Sequence, residues 1–153
     1  MRKIAGYLTK NRSEKDQKIA KAHTKTGTSS QEKLFGEIQS SFLEEAKEVS
    51  KLGFWNLTGN RLYYAAFHMA SALLLDKGFT PRSHSGVIHL IGAHFVINGL
   101  LDKSYGRLFS RLFELRQSGD YDDLYEATET EVFPYIDKTF HFLKDMESLI
   151  TLR

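Results

Sequence analysis

The sequence predicts an all-α protein, an antiparallel up-and-down bundle of four to five helices. Apolar residues recur at three- and four-residue spacing in successive segments, Gly, Pro or Asn-Gly punctuates the segments, and no stretch alternates polar and apolar residues between turn dipeptides. At 153 residues with 41% hydrophobic and 12% aromatic content the chain is one domain. A chain of that size buries roughly two-thirds of its unfolded surface and needs no disulfide or structural metal to hold a core.

The first helix is expected from about Ser30 to Leu52. Ser29 and Glu32 have the spacing of a capping box, Leu34, Phe35, Ile38, Phe42, Ala46, Val49 and Leu52 form the apolar stripe, and Gly53 is the stop. Asn56 or Thr58 is the expected cap of a second helix over Gly59–Asp76, which is apolar nearly all round with small residues among aromatics. Such a helix belongs in the middle of a bundle, where Ala lets neighbours approach. Lys77-Gly78 ends it and Pro81 forbids continuation.

Ser83 or Ser85 opens a third helix carrying Val87, Ile88, Leu90, Ile91, Phe95 and Val96, closed by Asn98-Gly99. Asp102 caps a fourth, with Tyr105, Leu108, Phe109, Leu112, Phe113 and Leu115 on its apolar side and a stop expected at Gly119. The last begins near Thr128, with Glu131 completing a capping box, or nearer Glu131 with Pro134 in its first turn. Its apolar face is Phe133, Ile136, Phe140, Leu143, Met146 and Ile150.

Composition removes several chemistries. There is no cysteine, which excludes disulfide frameworks, Cys-ligated metals and thiol nucleophiles. Neither GxxxxGK[ST], GxGxxG nor GxSxG occurs. No apolar run approaches the ~20 residues of a membrane span, and the basic first thirty residues have no continuous apolar stretch, so a cytoplasmic chain with no membrane association is expected.

The formal charge of +2 conceals a division. Residues 1–29 hold eight Lys/Arg against Glu14 and Asp16, a net +6, which leaves −4 for the remainder. The expected organisation is therefore a basic N-terminal extension over residues 1–30, flexible or partner-bound, ahead of a mildly acidic bundle over 31–153.

Two polar regions stand out. His84, His89 and His94 are spaced five apart, about 500° of helical rotation, so their imidazoles do not stack on one face as a zinc site requires. No metal and no cofactor are expected. The densest cluster is Arg116-Gln117-Ser118-Gly119-Asp120-Tyr121-Asp122-Asp123. It is either a capped helix end with its carboxylates on backbone N–H groups, or an arginine poised to hold phosphate at a bundle corner. His84 stands at a helix start beside Arg82, where backbone N–H groups favour an anion, and serves either as part of a cap or as part of a phosphate-binding groove with Arg116. Arg61 lies on the apolar second helix and is expected, with Asn60 and Tyr64, to form a polar core, since an unpaired buried charge is costly.

The runs Asn60-Arg61-Leu62-Tyr63-Tyr64-Ala65-Ala66-Phe67, Ser83-His84-Ser85-Gly86-Val87, His94-Phe95-Val96, Gly106-Arg107-Leu108 and Arg116-x-x-Gly119-Asp120-Tyr121-Asp122-Asp123 together resemble the HEPN domain family of bacteria and archaea, over about residues 31–152. The resemblance implies a helical domain, commonly a homodimer, often partnered by a minimal nucleotidyltransferase in toxin–antitoxin or defence systems. Many members are metal-independent ribonucleases in which an Arg, followed four to six residues later by a His, holds the scissile phosphate while the His moves a proton. Here the positions after Arg116 hold Tyr121, Asp122 and Asp123 and no histidine. A phenol of ordinary pKa ~10 is a poor base at neutral pH. The bare spacing occurs elsewhere, at Arg61 to His68 and at Arg82 to His89.

Three functions follow. The first is an RNA- or nucleotide-binding module without nuclease activity, in which Arg116, Asp120, Arg82 and His84 contact phosphate. The second is an active ribonuclease toxin with Arg116 on the phosphate and Tyr121 or His84 in place of the usual histidine. The third is a purely structural dimerisation or adaptor domain. A nucleotidyltransferase partner would have Tyr121 or Tyr125 as candidate hydroxyls to modify.

Overall fold

The computed structural model describes the backbone of residues 28–121 and 126–151, and side chains at 37, 40–118 and 126–150. The expected basic extension, apart from its last residues, lies outside these limits. The described elements are helices α1 (Thr28–Lys51), α2 (Trp55–Asp76), α3 (His84–Ile91), a π-helical turn (Gly92–Val96), α4 (Ser104–Tyr121), the single turn α5 (Glu129–Val132) and α6 (Pro134–Thr151). They form an all-α bundle, and among the described residues there is no strand.

α2 is the axis of the bundle and touches each of the other helices. From Thr58 to Leu74 only Phe67 is not buried. Ala65, Ala66, Ala70 and Ala72 supply the close approaches between its aromatic and leucine positions. Against it stand Phe42, Leu43 and Ala46 of α1, Leu108, Phe109, Leu112 and Leu115 of α4, and Phe142, Leu143, Met146 and Ile150 of α6.

The turns follow local rules. Gly53 at φ +78° and Gly78 at φ +88° each close a helix in the left-handed conformation that glycine adopts without a Cβ penalty. After α1, the Gly53 N–H reaches the Ser50 carbonyl and the Phe54 N–H the Val49 carbonyl; after α2, Gly78 and Phe79 repeat the pattern on Leu75 and Leu74. The Ser83 hydroxyl accepts from the Gly86 N–H at 2.9 Å, and Asp102 Oδ1 accepts from the Ser104 N–H at 2.8 Å. Hydrogen bonds from Ser104 hold the Asp102 carboxyl below its ordinary range. The Thr128–Glu131 capping box is present in both directions.

Several boundaries differ from expectation. α1 starts at Thr28, ahead of the expected Ser29 cap, whose side chain, like those of Glu32, Leu34, Phe35 and Ile38, lies outside the described set. Leu52 falls in the turn after α1 and is exposed. α2 begins at Trp55, four residues early, with no side-chain cap at Phe54. Asn56 is inside the helix, where its Oδ1 accepts from the Ala127 N–H at 2.7 Å, and Thr58 returns its hydroxyl to the Phe54 carbonyl. The third helix does not run through Val96 as α-helix: it loosens into the π turn at Gly92. α4 passes through Gly119 to Tyr121, so a single glycine does not stop it. The last helix is broken at Phe133, between its capping box and Pro134, which lacks an N–H and sits at the first position of α6, where none is needed. Phe133 is exposed at that corner, edge-on to Trp55.

α4 and α6 are joined by aromatic stacking and one polar clamp. The Tyr105 ring lies on Phe142 at 4.8 Å and its hydroxyl donates to Asp145 Oδ2. Burial, and then the Asp145 carboxylate, push the Tyr105 phenol well above its ordinary value. The folded state therefore keeps this proton at pH values where the unfolded chain releases it. Its contribution to stability is complete below pH ~10, the ordinary phenol pKa, and declines as pH rises further. An alkaline denaturation series should show Tyr105→Phe losing less stability than wild type above that pH; parallel curves would remove Tyr105 as a source of alkaline instability.

Candidate functional site

The middle turns of α2 carry a polar and aromatic centre with two halves. One half joins α2 to α1. Arg61, 2% exposed, donates through Nε and Nη2 to Asn60 Oδ1 at 3.2 and 2.6 Å and pairs through Nη1 with Glu45 Oε2 at 3.4 Å. Its guanidinium lies 5.4 Å from the Phe42 ring centre and 5.9 Å from that of Tyr64. Seven residues on from Arg61, on the same helical face, the His68 ring stacks on Phe42 at 5.2 Å and on Tyr64 at 5.9 Å. Phe42 therefore has Arg61 and His68 as neighbours, and the literal Arg61-to-His68 spacing is part of the packed interior.

The other half joins α2 to α3 and α4. Tyr63 is fully buried, and its hydroxyl lies 2.6 Å from His84 Nδ1 at the first residue of α3. The His84 ring, half-buried, stacks on Phe67 at 4.4 Å and lies at 5.8 Å from Tyr63. From α4, Arg116 brings its guanidinium to 5.8 Å from the Tyr63 ring and 5.6 Å from the Tyr64 ring. A guanidinium on an aromatic face gains from the ring quadrupole and keeps its N–H edges for acceptors lying in its own plane. Arg116 is 8% exposed.

Arg116 and His84, singled out separately from the sequence, thus meet on the same tyrosine from two different helices. Arg82 stands exposed before Ser83 and makes no ion pair or ring contact among the described residues. The side chains of Asp120 and Tyr121 lie outside the described set, and Asp122, Asp123 and Tyr125 lie outside it altogether. His89 is exposed and His94 lies tilted against Phe79 at 4.4 Å, so the three histidines face different surroundings. Among the described residues no group of three or more His, Asp or Glu could hold a metal ion, and no helix is long and apolar enough to cross a membrane.

Tyr63, Phe67, Phe42 and Glu45 are the members of this centre that sequence reasoning missed, while His68 stands out in the sequence only by its spacing from Arg61. The signal available was the i, i+4 pairing of Tyr63 with Phe67 beneath a histidine-bearing helix start, which an all-apolar reading of α2 absorbed as core.

This helical bundle with a tyrosine pair at its axis belongs to the HEPN domain family, whose profile matches residues 36–149. A UPF0332 protein of Thermotoga maritima is 41% identical over 108 residues, covering 71% of this chain and 82% of that protein. Two proteins of Methanocaldococcus jannaschii named as toxin candidates are also similar. One is 39% identical over 85 residues, covering 56% of this chain and 63% of its own, and the other 30% identical over 112 residues, covering 73% and 76%.

Proposed function

We propose that this chain is an RNA- or nucleotide-binding HEPN module of a toxin–antitoxin or defence system, working as a homodimer with a minimal nucleotidyltransferase-type partner. The observation that carries the reading is the convergence of Arg116 and His84 on Tyr63: a fixed cation and an imidazole, delivered by separate helices, are what phosphate recognition uses. Asp120 and Arg82 flank the two residues in sequence and complete the proposed set. The toxin-candidate names of two relatives support the system, and the absence of histidine after Arg116 favours binding over cleavage.

A short fluorescein-labelled single-stranded RNA and ATP, titrated separately at low salt, test the reading. Arg116→Gln should weaken binding about tenfold, the scale of one charge-assisted hydrogen bond, while keeping a cooperative thermal transition. Lack of binding by the wild-type chain to either probe would sink the proposal. Repeating the RNA titration at increasing salt with residues 1–29 removed separates phosphate contacts of the basic extension from those of Arg116, because each lost contact flattens the salt slope.

The near-complete burial of Arg116 favours a second reading, a structural adaptor in which that cation only braces α4 against α2. In that case Arg116→Gln changes the melting temperature and no affinity. The ribonuclease alternative, with Tyr121 or His84 as the proton-transfer group, requires induced expression to arrest growth and cut RNA, both abolished by Arg116→Gln.

A further inference from the structure

We infer that Tyr63 is a positioning residue that couples His84 to Arg116, its hydroxyl setting the orientation of the imidazole while its ring seats the guanidinium. The inference rests on the phosphate-binding reading above and names the buried group on which that site depends.

Tyr63 is fully buried, whereas its two polar neighbours come from other elements, His84 from the start of α3 and Arg116 from the penultimate turn of α4. Its hydroxyl meets His84 Nδ1 at 2.6 Å, a bond that, whichever atom donates, dictates the role left to the other ring nitrogen. The imidazole is further held flat by Phe67, one helical turn along α2, at 4.4 Å and 17°. Stacking fixes the plane of the ring and the hydroxyl fixes its rotation within that plane. On the same phenol, Arg116 rests 5.8 Å from the ring centre, with Tyr64 completing the seat at 5.6 Å. The ring and the hydroxyl thus have separable tasks, and Tyr63→Phe removes one of them while leaving the packing and the guanidinium seat in place.

The experiment compares wild type, Tyr63→Phe and Tyr105→Phe in two ways: the nitrogen resonances of the His84 imidazole, assigned with His84→Gln, and titration of the labelled single-stranded RNA. Tyr63→Phe should move the His84 Nδ1 resonance and weaken RNA affinity about fivefold, the scale of one net hydrogen bond. Tyr105→Phe, which removes a hydroxyl at the α4–α6 joint and away from this centre, should change neither. An unmoved His84 resonance in Tyr63→Phe overturns the inference, because the hydroxyl then does not engage the imidazole. A moved resonance with unchanged affinity overturns it too, since Tyr63 would then serve the fold alone. If the wild-type chain binds neither the RNA nor ATP, the functional reading fails and carries this inference down with it, a result distinct from the other two; if it binds ATP alone, the same affinity comparison is read with ATP.

Discussion

Arg61→Ala is expected to destabilise the fold by about 3–5 kcal/mol, the range for breaking one side of a buried ion pair. Three losses coincide. Asn60 Oδ1 gives up two donors, Glu45 gives up its counter-ion, and Phe42 and Tyr64 lose the flat guanidinium packed between α1 and α2. Glu45 is 29% exposed and water relieves part of its loss, which pulls the value toward the lower end. The melting temperature should fall by roughly 10 °C, given about 2–4 °C per kcal/mol for a domain of this size. Arg61→Met separates the components, because it keeps the stem and its packing while removing the charge. Near-wild-type stability of Arg61→Met beside an unstable Arg61→Ala would assign the effect to packing. A loss under ~1 kcal/mol in Arg61→Ala would mean that the Arg61 cluster does not hold α1 to α2, since that is the scale of an exposed pair.

Phe142→Ala should cost a similar ~3–5 kcal/mol for a different reason, the transfer free energy of a buried ring plus the cavity it leaves. Phe142 is fully buried on α6, stacked beneath Tyr105 and edge-on to Phe109 at 5.5 Å. Its removal leaves the Tyr105–Asp145 clamp without its floor, so α4 and α6 lose both apolar contact and alignment. Urea titration is the measurement: the midpoint should fall with little change in slope, showing that the folded state has lost stability and not compactness. Phe142→Leu should lose less, because most of the volume is kept. Equal stability of Phe142→Ala and wild type would place the α4–α6 joint elsewhere.

What could be read from the sequence was what is decided locally. Ser83, Asp102 and Thr128 were legible as caps because each bonds an N–H two or three residues away. The start of α2 was not, since Asn56 is drawn to Ala127, 71 residues on. Gly119 was misjudged because glycine in a helix costs only ~1 kcal/mol and neighbours can absorb that. The π turn at Gly92 has no sequence marker, and the geometry gives no physical account of why it falls there. The centre on α2 divided in the same way. Arg116 and His84 stood out as isolated polar residues near helix ends, but the tyrosine that joins them sat inside an apolar run. A phenol's ring counts as core in any periodicity, and only the third dimension shows where its hydroxyl goes.

The central position of α2 also has a consequence for biosynthesis. Its apolar surface is covered in part by α6, the last of the described helices in chain order. Between completion of α2 at Asp76 and completion of α6 at Thr151, synthesis at about 5–20 residues per second leaves that surface without its cover for several seconds. At the start of that interval the nascent chain is a helix hairpin of α1 and α2 with one greasy side open, and α4 and then α6 must be added to cover it. Holdase chaperones should therefore engage this protein on the ribosome, and their hold should weaken as α4 and then α6 emerge and close the side that α1 leaves bare.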